Sequence, residues 1–268
     1  MLGGLGADEF LRKHWQKRPL LVRQAVPAFA GFVDKDALFA LAVRDGAVAR
    51  MVVEKKRHRW RSFDVVDGDV DEASLGARWW TLLVQGVEAL HPGAWPLLRA
   101  FSFLPRARID DLMISYAVAG ASVGPHVDAY DVFLLQGPGR RRWRFDAKPR
   151  AFVDDDFDAT QRVRVLRDRA WDRDEILEPG DMLYLPPHVA HWGEAVDDCF
   201  TYSIGFVAPS HDAIVQNFLA YFAQVLEQRV DAAALYADPD MHAPRDAVAV
   251  DAAMVKRFAR ILAQARFE

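Results

Sequence analysis

The sequence predicts a mainly β chain with helices, an α+β fold in which a sandwich or barrel of short antiparallel strands follows mixed helices and strands and precedes a helical tail. Between Ile109 and Phe206 the β-rich runs LMISYAV, DVFLLQG, RRRWRF, RVRVL, DMLYLPP and FTYSIGFV succeed one another between turns. That texture belongs to antiparallel sheets and not to a doubly wound one. After Pro209 the pattern turns helical: in HDAIVQNFLAYFAQVLEQRV the residues Ile214, Phe218, Phe222 and Val225 recur three or four apart and share one apolar stripe. With 51% hydrophobic and 27% charged residues in 268, the chain has material for a sizeable core and is neither disordered nor low in complexity.

Taken in order, DEFLRKHW has helical spacing, PLLVR is a short apolar run, and Asp34 is placed to cap the helix DKDALFALAVRD. ARMVVEKKRHRWRSFDVV reads as two extended segments around a basic turn. WWTLLVQGVEALHPGAWPLLRAF reads as helices broken at His91-Pro92-Gly93. The barrel strands follow, then the helix after Pro209, a proline-containing turn from Ala237 to Pro244, and a last helical segment, AAMVKRFARILAQARF. These divide the chain into residues 1–108, helices and strands packed on the barrel; 109–208, the barrel; and 209–268, the helical region.

Thirty-four Lys and Arg against 38 Asp and Glu leave a net charge of -4, which argues against non-specific nucleic-acid binding. Cys199 is the single cysteine, so an intrachain disulfide framework and a Cys-based zinc cluster are excluded. No apolar run reaches the ~18 residues of a membrane span, and MLGGLGADEF lacks the parts of a signal peptide. The expected location is the cytoplasm, with no membrane partner.

In ASVGPHVDAYDVF, His126 and Asp128 stand two apart, so a strand points both side chains to one face. LYLPPHVAHWGEA supplies His188 and His191 from a distant strand. His188 directly follows two prolines and belongs to the turn, where packing or a hydrogen bond near the rim suits it; His191 lies in the next extended segment and is the better placed. Two imidazoles and one carboxylate on one face of an octahedral ion leave positions open, the facial triad of non-haem Fe(II) oxygenases. The competing reading is an ordinary surface or capping arrangement, because His-x-Asp also occurs by chance.

Beyond the turn Gly137-Pro138-Gly139, Arg140, Arg142 and Arg144 share one strand face and read as solvated, whereas Arg141 shares the other with Trp143 and Phe145. A buried guanidinium is costly unless a carboxylate meets it. Either a small 2-oxo acid chelating iron at its other end, or an Asp of the barrel, would supply that carboxylate.

IDDLMISYAVAG, GPHVDAYDVFLLQGPGRRRWRF, LEPGDMLYLPPHVAHWGEA and YSIGFVAPS, with the tail YADPDMHAPRD, resemble the JmjC-class ribosomal oxygenases of bacteria. The resemblance implies a double-stranded β-helix, the cupin/JmjC barrel, with residues 109–208 as catalytic core and 209–268 as a helical dimerisation region of a homodimer. It implies an Fe(II) dioxygenase that uses 2-oxoglutarate and O2 as co-substrates to hydroxylate an arginine of large-subunit ribosomal protein sixteen. Carried onto this chain, the iron ligands are His126, Asp128 and His191, and Arg141 takes the far carboxylate of 2-oxoglutarate. Ser115 matches a co-substrate-binding serine. Thr201 stands where relatives usually have an asparagine, with Ser203 on the same strand face as a substitute. His188 replaces a common glycine. Such relatives also carry a C-terminal winged-helix part that this sequence does not show; if that part helps to hold the ribosomal substrate, the chemistry is expected to remain and some substrate affinity to be lost.

An arginine substrate calls for a carboxylate or aromatic face near the iron, and Tyr130 and Asp131 are the candidates. The rival readings are a JmjC-type demethylase, a metal-dependent cupin that does not use 2-oxoglutarate, and a non-catalytic interaction module.

Overall fold

Strand alternation builds the N-terminal unit from two antiparallel sheets. The computed structural model describes residues 1–65, 79–207, 209–229, 234–237, 239 and 252–263. The chain divides into two compact units, Met1–Ala208 and Pro209–Glu268.

The first unit begins with helix α1 (Ala7–Lys13), strand β1 (Leu20–Val22) and helix α2 (Lys35–Ala42). Asp34 caps α2 as expected, its Oδ1 accepting the Ala37 N–H at 2.8 Å. The hairpin β2 (Val48–Lys56) and β3 (Arg59–Asp64) surrounds the basic turn. Next come β4 (Trp79–Gln85), the short helices α3 (Val87–Leu90) and α4 (Ala94–Arg99), and β5 (Ile109–Ala117). The remaining strands are β6 (His126–Val127), β7 (Asp131–Gln136), β8 (Arg141–Phe145), β9 (Arg173–Leu177), β10 (Met182–Leu185), β11 (Ala190–Ala195) and β12 (Cys199–Phe206).

The large sheet runs β1-β10-β7-β12-β5-β4-β2-β3 and the small one β6-β11-β8-β9. This is the double-stranded β-helix of the cupin and JmjC folds. The N-terminal strands do not merely pack on the barrel: β4 pairs directly with β5 and extends its sheet. The central strands of the large sheet are buried on both faces. Phe133 and Leu135 of β7, Leu112 and Ile114 of β5 and Ile204 of β12 join the N-terminal helices in one core. Their alternate neighbours, Val132 and Leu134 among them, face the other way, towards Trp143 and Phe145 of the small sheet. Phe133 lies at the centre, 4.9 Å from Phe101 and 4.8 Å from Tyr184 between ring centroids. Truncating such a ring to Ala costs roughly 3–5 kcal/mol.

Two segments fold differently from the sequence expectation. WWTLLVQ is strand β4 and not a helix, because it is paired along both edges by β2 and β5; tertiary pairing decides where short apolar runs are ambiguous. RVRVL forms no strand beyond a single bridge from Leu166 to Phe157, and the strand beside β8 is β9 instead.

The second unit contains α5 (His211–Arg229) and α6 (Ala252–Leu262). Ser210 caps α5, its Oγ accepting the Ala213 N–H at 3.0 Å. Most of the expected turn from Ala237 to Pro244, and with it most of the tail motif YADPDMHAPRD, lies outside the described residues. No helix among the described residues is long and apolar enough to cross a membrane.

Candidate functional site

The two sheets enclose a cavity of ≈ 150 Å³ lined by His126, Asp128, His191, Arg141, Ser115, Thr201 and Ser203, all seven residues expected for the metal and the co-substrate. β6 and β11 pair so that His126 lies directly opposite His191, with ring centroids 4.2 Å apart. Asp128, one residue beyond β6, brings Oδ2 to 3.5 Å from His191 Nε2 and 4.0 Å from His126 Nε2. One ligand atom from each of the three lies within 4.8 Å of the others.

The imidazoles are already oriented for a metal. His126 Nδ1 lies 2.9 Å from the Gly124 carbonyl, and His191 Nδ1 lies 3.0 Å from that of Val189. A carbonyl oxygen only accepts, so each Nδ1 carries the proton and each Nε2 keeps its lone pair for an ion. Burial, and then the neighbouring His126, push His191 down to about 4, so it is neutral near pH 7. Two nitrogens and one carboxylate oxygen, with open space beside them, fit a divalent first-row metal such as Fe(II).

Arg141 opens β8 and is 2% exposed. Its guanidinium donates to Thr201 Oγ1 and to the Gly193 carbonyl at 3.4 Å each, both long, and its Nε has no partner among the described residues. It forms no ion pair with a carboxylate among the described residues, so the barrel Asp of the alternative reading is not found. Burial pushes its pKa down. Trp143 packs under the guanidinium, with 5.1 Å from Cζ to the ring centroid. Ser115 and Thr201 face each other across β5 and β12, and Ser115 is turned away from Leu112 and Ile114 as alternation predicts. Thr201 touches Arg141 directly. Ser203, one alternation further along β12, also lines the cavity.

Arg140, Arg142 and Arg144 point outward, where they pair with Asp197, Asp174 and Glu194. His188 is exposed, adopts φ +63°, and donates its backbone N–H to the Asp128 carbonyl at 2.8 Å; its side chain lines a neighbouring groove. That agrees with a turn residue near the rim.

Tyr130 lines the cavity, but Asp131 does not. Asp131 is fully buried on the opposite side of β7, accepting from the Tyr184 hydroxyl at 2.5 Å and Gln16 Nε2 at 3.0 Å. Adjacent strand residues face opposite ways, and Asp131 takes the core side. Besides Asp128 of the metal corner, the carboxylates that line the cavity are Asp110 and Asp111, with Arg50 and Gln85 beside them. Burial pushes Asp111 up to about 6. A signal for it exists in the sequence: the alternation that selects Ser115 continues backwards through Met113 to Asp111.

A family model described as a JmjC domain matches residues 96–214. The chain is 38% identical over 247 residues to a ribosomal protein uL16 3-hydroxylase of Escherichia coli, covering 88% of this chain and 61% of that protein. It is likewise 38% identical over 209 residues to a probable ribosomal oxygenase of Haemophilus influenzae, covering 78% and 51%. Among solved structures, Escherichia coli YcfD superposes with a TM-score of 0.77 at 33% identity, over 97% of this chain and 68% of that one. A second structure of YcfD, in complex with cobalt and 2-oxoglutarate, gives 0.74 at 33% identity, over 97% and 66%. The chain thus spans about three fifths of the curated hydroxylase's length.

Proposed function

This chain belongs to the JmjC-class ribosomal oxygenases, and on that footing we propose that it is an Fe(II)- and 2-oxoglutarate-dependent protein hydroxylase acting on an arginine side chain of large-subunit ribosomal protein sixteen. The observation that carries this reading is Arg141: a fully buried guanidinium, without a carboxylate partner among the described residues, lining the same cavity as the His126, Asp128 and His191 donor set. A dicarboxylic 2-oxo acid answers both at once, chelating the metal at one end and meeting the guanidinium at the other. A cupin that does not use 2-oxoglutarate has no need of this costly arginine.

His126, Asp128 and His191 hold the metal, and Nδ1 of each histidine keeps its proton on a backbone carbonyl. When bound, iron with 2-oxoglutarate and O2 supplies oxidative decarboxylation to succinate and CO2 and the hydroxylation of a substrate carbon. Arg141 orients the co-substrate through its far carboxylate, with Thr201, Ser203 and Ser115 lining its bed. Asp111, once ionised, offers the charge that an incoming guanidinium requires, and Tyr130 offers an aromatic face beside it. The apolar walls Val132 and Leu134 exclude water.

The second unit serves as the dimerisation region of a homodimer. Ile214 and Phe218 of α5 and Val255, Phe258 and Leu262 of α6 are exposed apolar side chains that a partner copy would cover. A concentration-independent monomer in sedimentation would remove that assignment. The enzyme works in the cytoplasm, where its ribosomal-protein substrate is made, and needs no direct contact with nucleic acid. The test of the whole reading is mass spectrometry of ribosomal proteins incubated with the iron-loaded protein and 2-oxoglutarate. One added oxygen on an arginine of ribosomal protein sixteen, dependent on 2-oxoglutarate, is expected; no 2-oxoglutarate-dependent change in any ribosomal protein overturns it.

A further inference from the structure

Trp143 lies two residues beyond Arg141 on β8 and is 4% exposed. Strand alternation places both side chains on the inward face, and both line the cavity. The indole bridges the two functional groups of that cavity: its ring centroid is 5.1 Å from the Arg141 guanidinium carbon and 5.9 Å from the His191 ring centroid. A small molecule reaching from a metal held by His191 to Arg141 must therefore run beside this ring.

Its polar atom is unused. Trp143 Nε1 is buried without a hydrogen-bond partner among the described residues, as is Arg141 Nε. A buried indole N–H ordinarily finds an acceptor, so orphan donors on two residues that line one cavity call for an anion. The facing strand leaves room for both. A Cβ on Gly193 would stand 2.7 Å from Arg141 Nε and 2.8 Å from Trp143 Cη2, closer than real Cβ contacts come. Glycine at 193 is thus what lets the guanidinium and the indole occupy their places.

We propose that Trp143 is a further binding residue for the 2-oxo dicarboxylic acid: its ring forms the wall along which the carbon chain lies, and its indole N–H donates to the carboxylate held by Arg141. The proposal rests on the function proposed above and adds to it a second donor for the far carboxylate.

The test loads the protein with Zn(II), a diamagnetic stand-in, and titrates it calorimetrically with 2-oxoglutarate and with 2-oxobutyrate, which has the same 2-oxo acid end but no second carboxylate. Trp143→Phe keeps an aromatic wall and removes the donor. It should weaken 2-oxoglutarate about 10- to 100-fold, the range of a hydrogen bond to a charged group, and leave 2-oxobutyrate unchanged, which also reports that the variant is folded. Trp60→Phe is the control, because its indole Nε1 is equally unpartnered but lines a different groove. In the ¹⁵N-labelled wild-type protein, the indole resonance missing from Trp143→Phe should move downfield with 2-oxoglutarate and not with 2-oxobutyrate.

Equal 2-oxoglutarate affinity in Trp143→Phe and wild type overturns the proposal, as does an equal loss of both acids or an indole resonance that stays in place. A wild-type protein that binds neither acid overturns the underlying functional reading as well.

Discussion

His126, Asp128 and His191 meet with both Nδ1 atoms already bonded to backbone carbonyls, whereas Arg141, in the same cavity, has two contacts of 3.4 Å and an unbonded Nε. The first group is oriented without a ligand: both imidazoles have their Nδ1 on a backbone carbonyl and their Nε2 beside the Asp128 carboxylate. The second is under-satisfied and buried, a state that costs stability until an anion arrives. A metal corner needs accurate donor geometry, which local backbone contacts supply. An anion site in a poorly solvated cavity needs a charge that nothing else in the protein neutralises.

The largest effect should come from breaking the oriented corner. Ala at His126, Asp128 or His191 removes one of three donors and should take 2-oxoglutarate turnover below detection, measured as succinate release. His188→Ala should stay largely active, since it keeps the backbone N–H that holds the Asp128 carbonyl. Full activity of an Asp128→Ala protein would dissolve the corner as a metal site.

The under-satisfied end should respond differently. Arg141→Ala should weaken 2-oxoglutarate by about two to three and a half orders of magnitude, the equivalent of the ~3–5 kcal/mol lost when one side of a buried pair goes, while metal affinity survives. Arg141→Lys, with charge but no planar fork, should fall between. Stability should move the opposite way. Arg141→Met replaces an unpaired buried cation by an apolar chain and should raise stability by ~1–4 kcal/mol in denaturant unfolding of the ligand-free protein. A destabilised Arg141→Met would mean that the guanidinium is structural.

A smaller effect concerns Asp111, whose carboxyl is pushed up to about 6 by burial. Binding a substrate guanidinium needs its ionised form, so affinity for the protein substrate should rise as pH climbs through about 6. Asp111→Asn should lower that affinity and flatten the rise. For folding the sign is reversed. A raised carboxylate pKa means that the native state holds its proton where the unfolded chain has released it, so this group's contribution to stability falls between about pH 4 and 6 and stays low above. Asp111→Asn should remove that slope from a pH series of melting curves.

The smallest effect belongs to the outward arginines. Arg140→Ala and Arg142→Ala break exposed pairs with Asp197 and Asp174; such pairs are worth ~0–1 kcal/mol, and 2-oxoglutarate affinity should not change. A large loss at either would mean that the alternation separating them from Arg141 does not hold in solution.

Much of this was legible in the chain itself. The period of two separates Arg141 from Arg140 and Arg142, sets Ser115 apart from Ile114, and puts His126 and Asp128 within reach of one ion, because a strand's side chains alternate whatever surrounds it. Asp34 announces its helix for an equally local reason, the short reach from its carboxylate to the Ala37 N–H. Alternation puts two strand neighbours on opposite sides without saying which side is the cavity. Tyr130 and Asp131 read as equals, and only the packing of β7, with Tyr184 and Gln16 waiting on one side, sends Asp131 into the core.

Tertiary structure decided what depends on partners far along the chain. WWTLLVQ became a strand because β2 and β5 flank it. Asp111 became a cavity residue because β5 forms the wall there, and its carboxyl titrates near 6 because of the burial that follows. The clearance at Gly193 and the unbonded indole of Trp143 exist only once β8 and β11 lie side by side. Local sequence sets the direction in which each side chain leaves its strand, since that follows from covalent geometry. Which groups it meets, and whether its charge is answered, is set by the register between strands, a property of the packed sheets and not of any one segment.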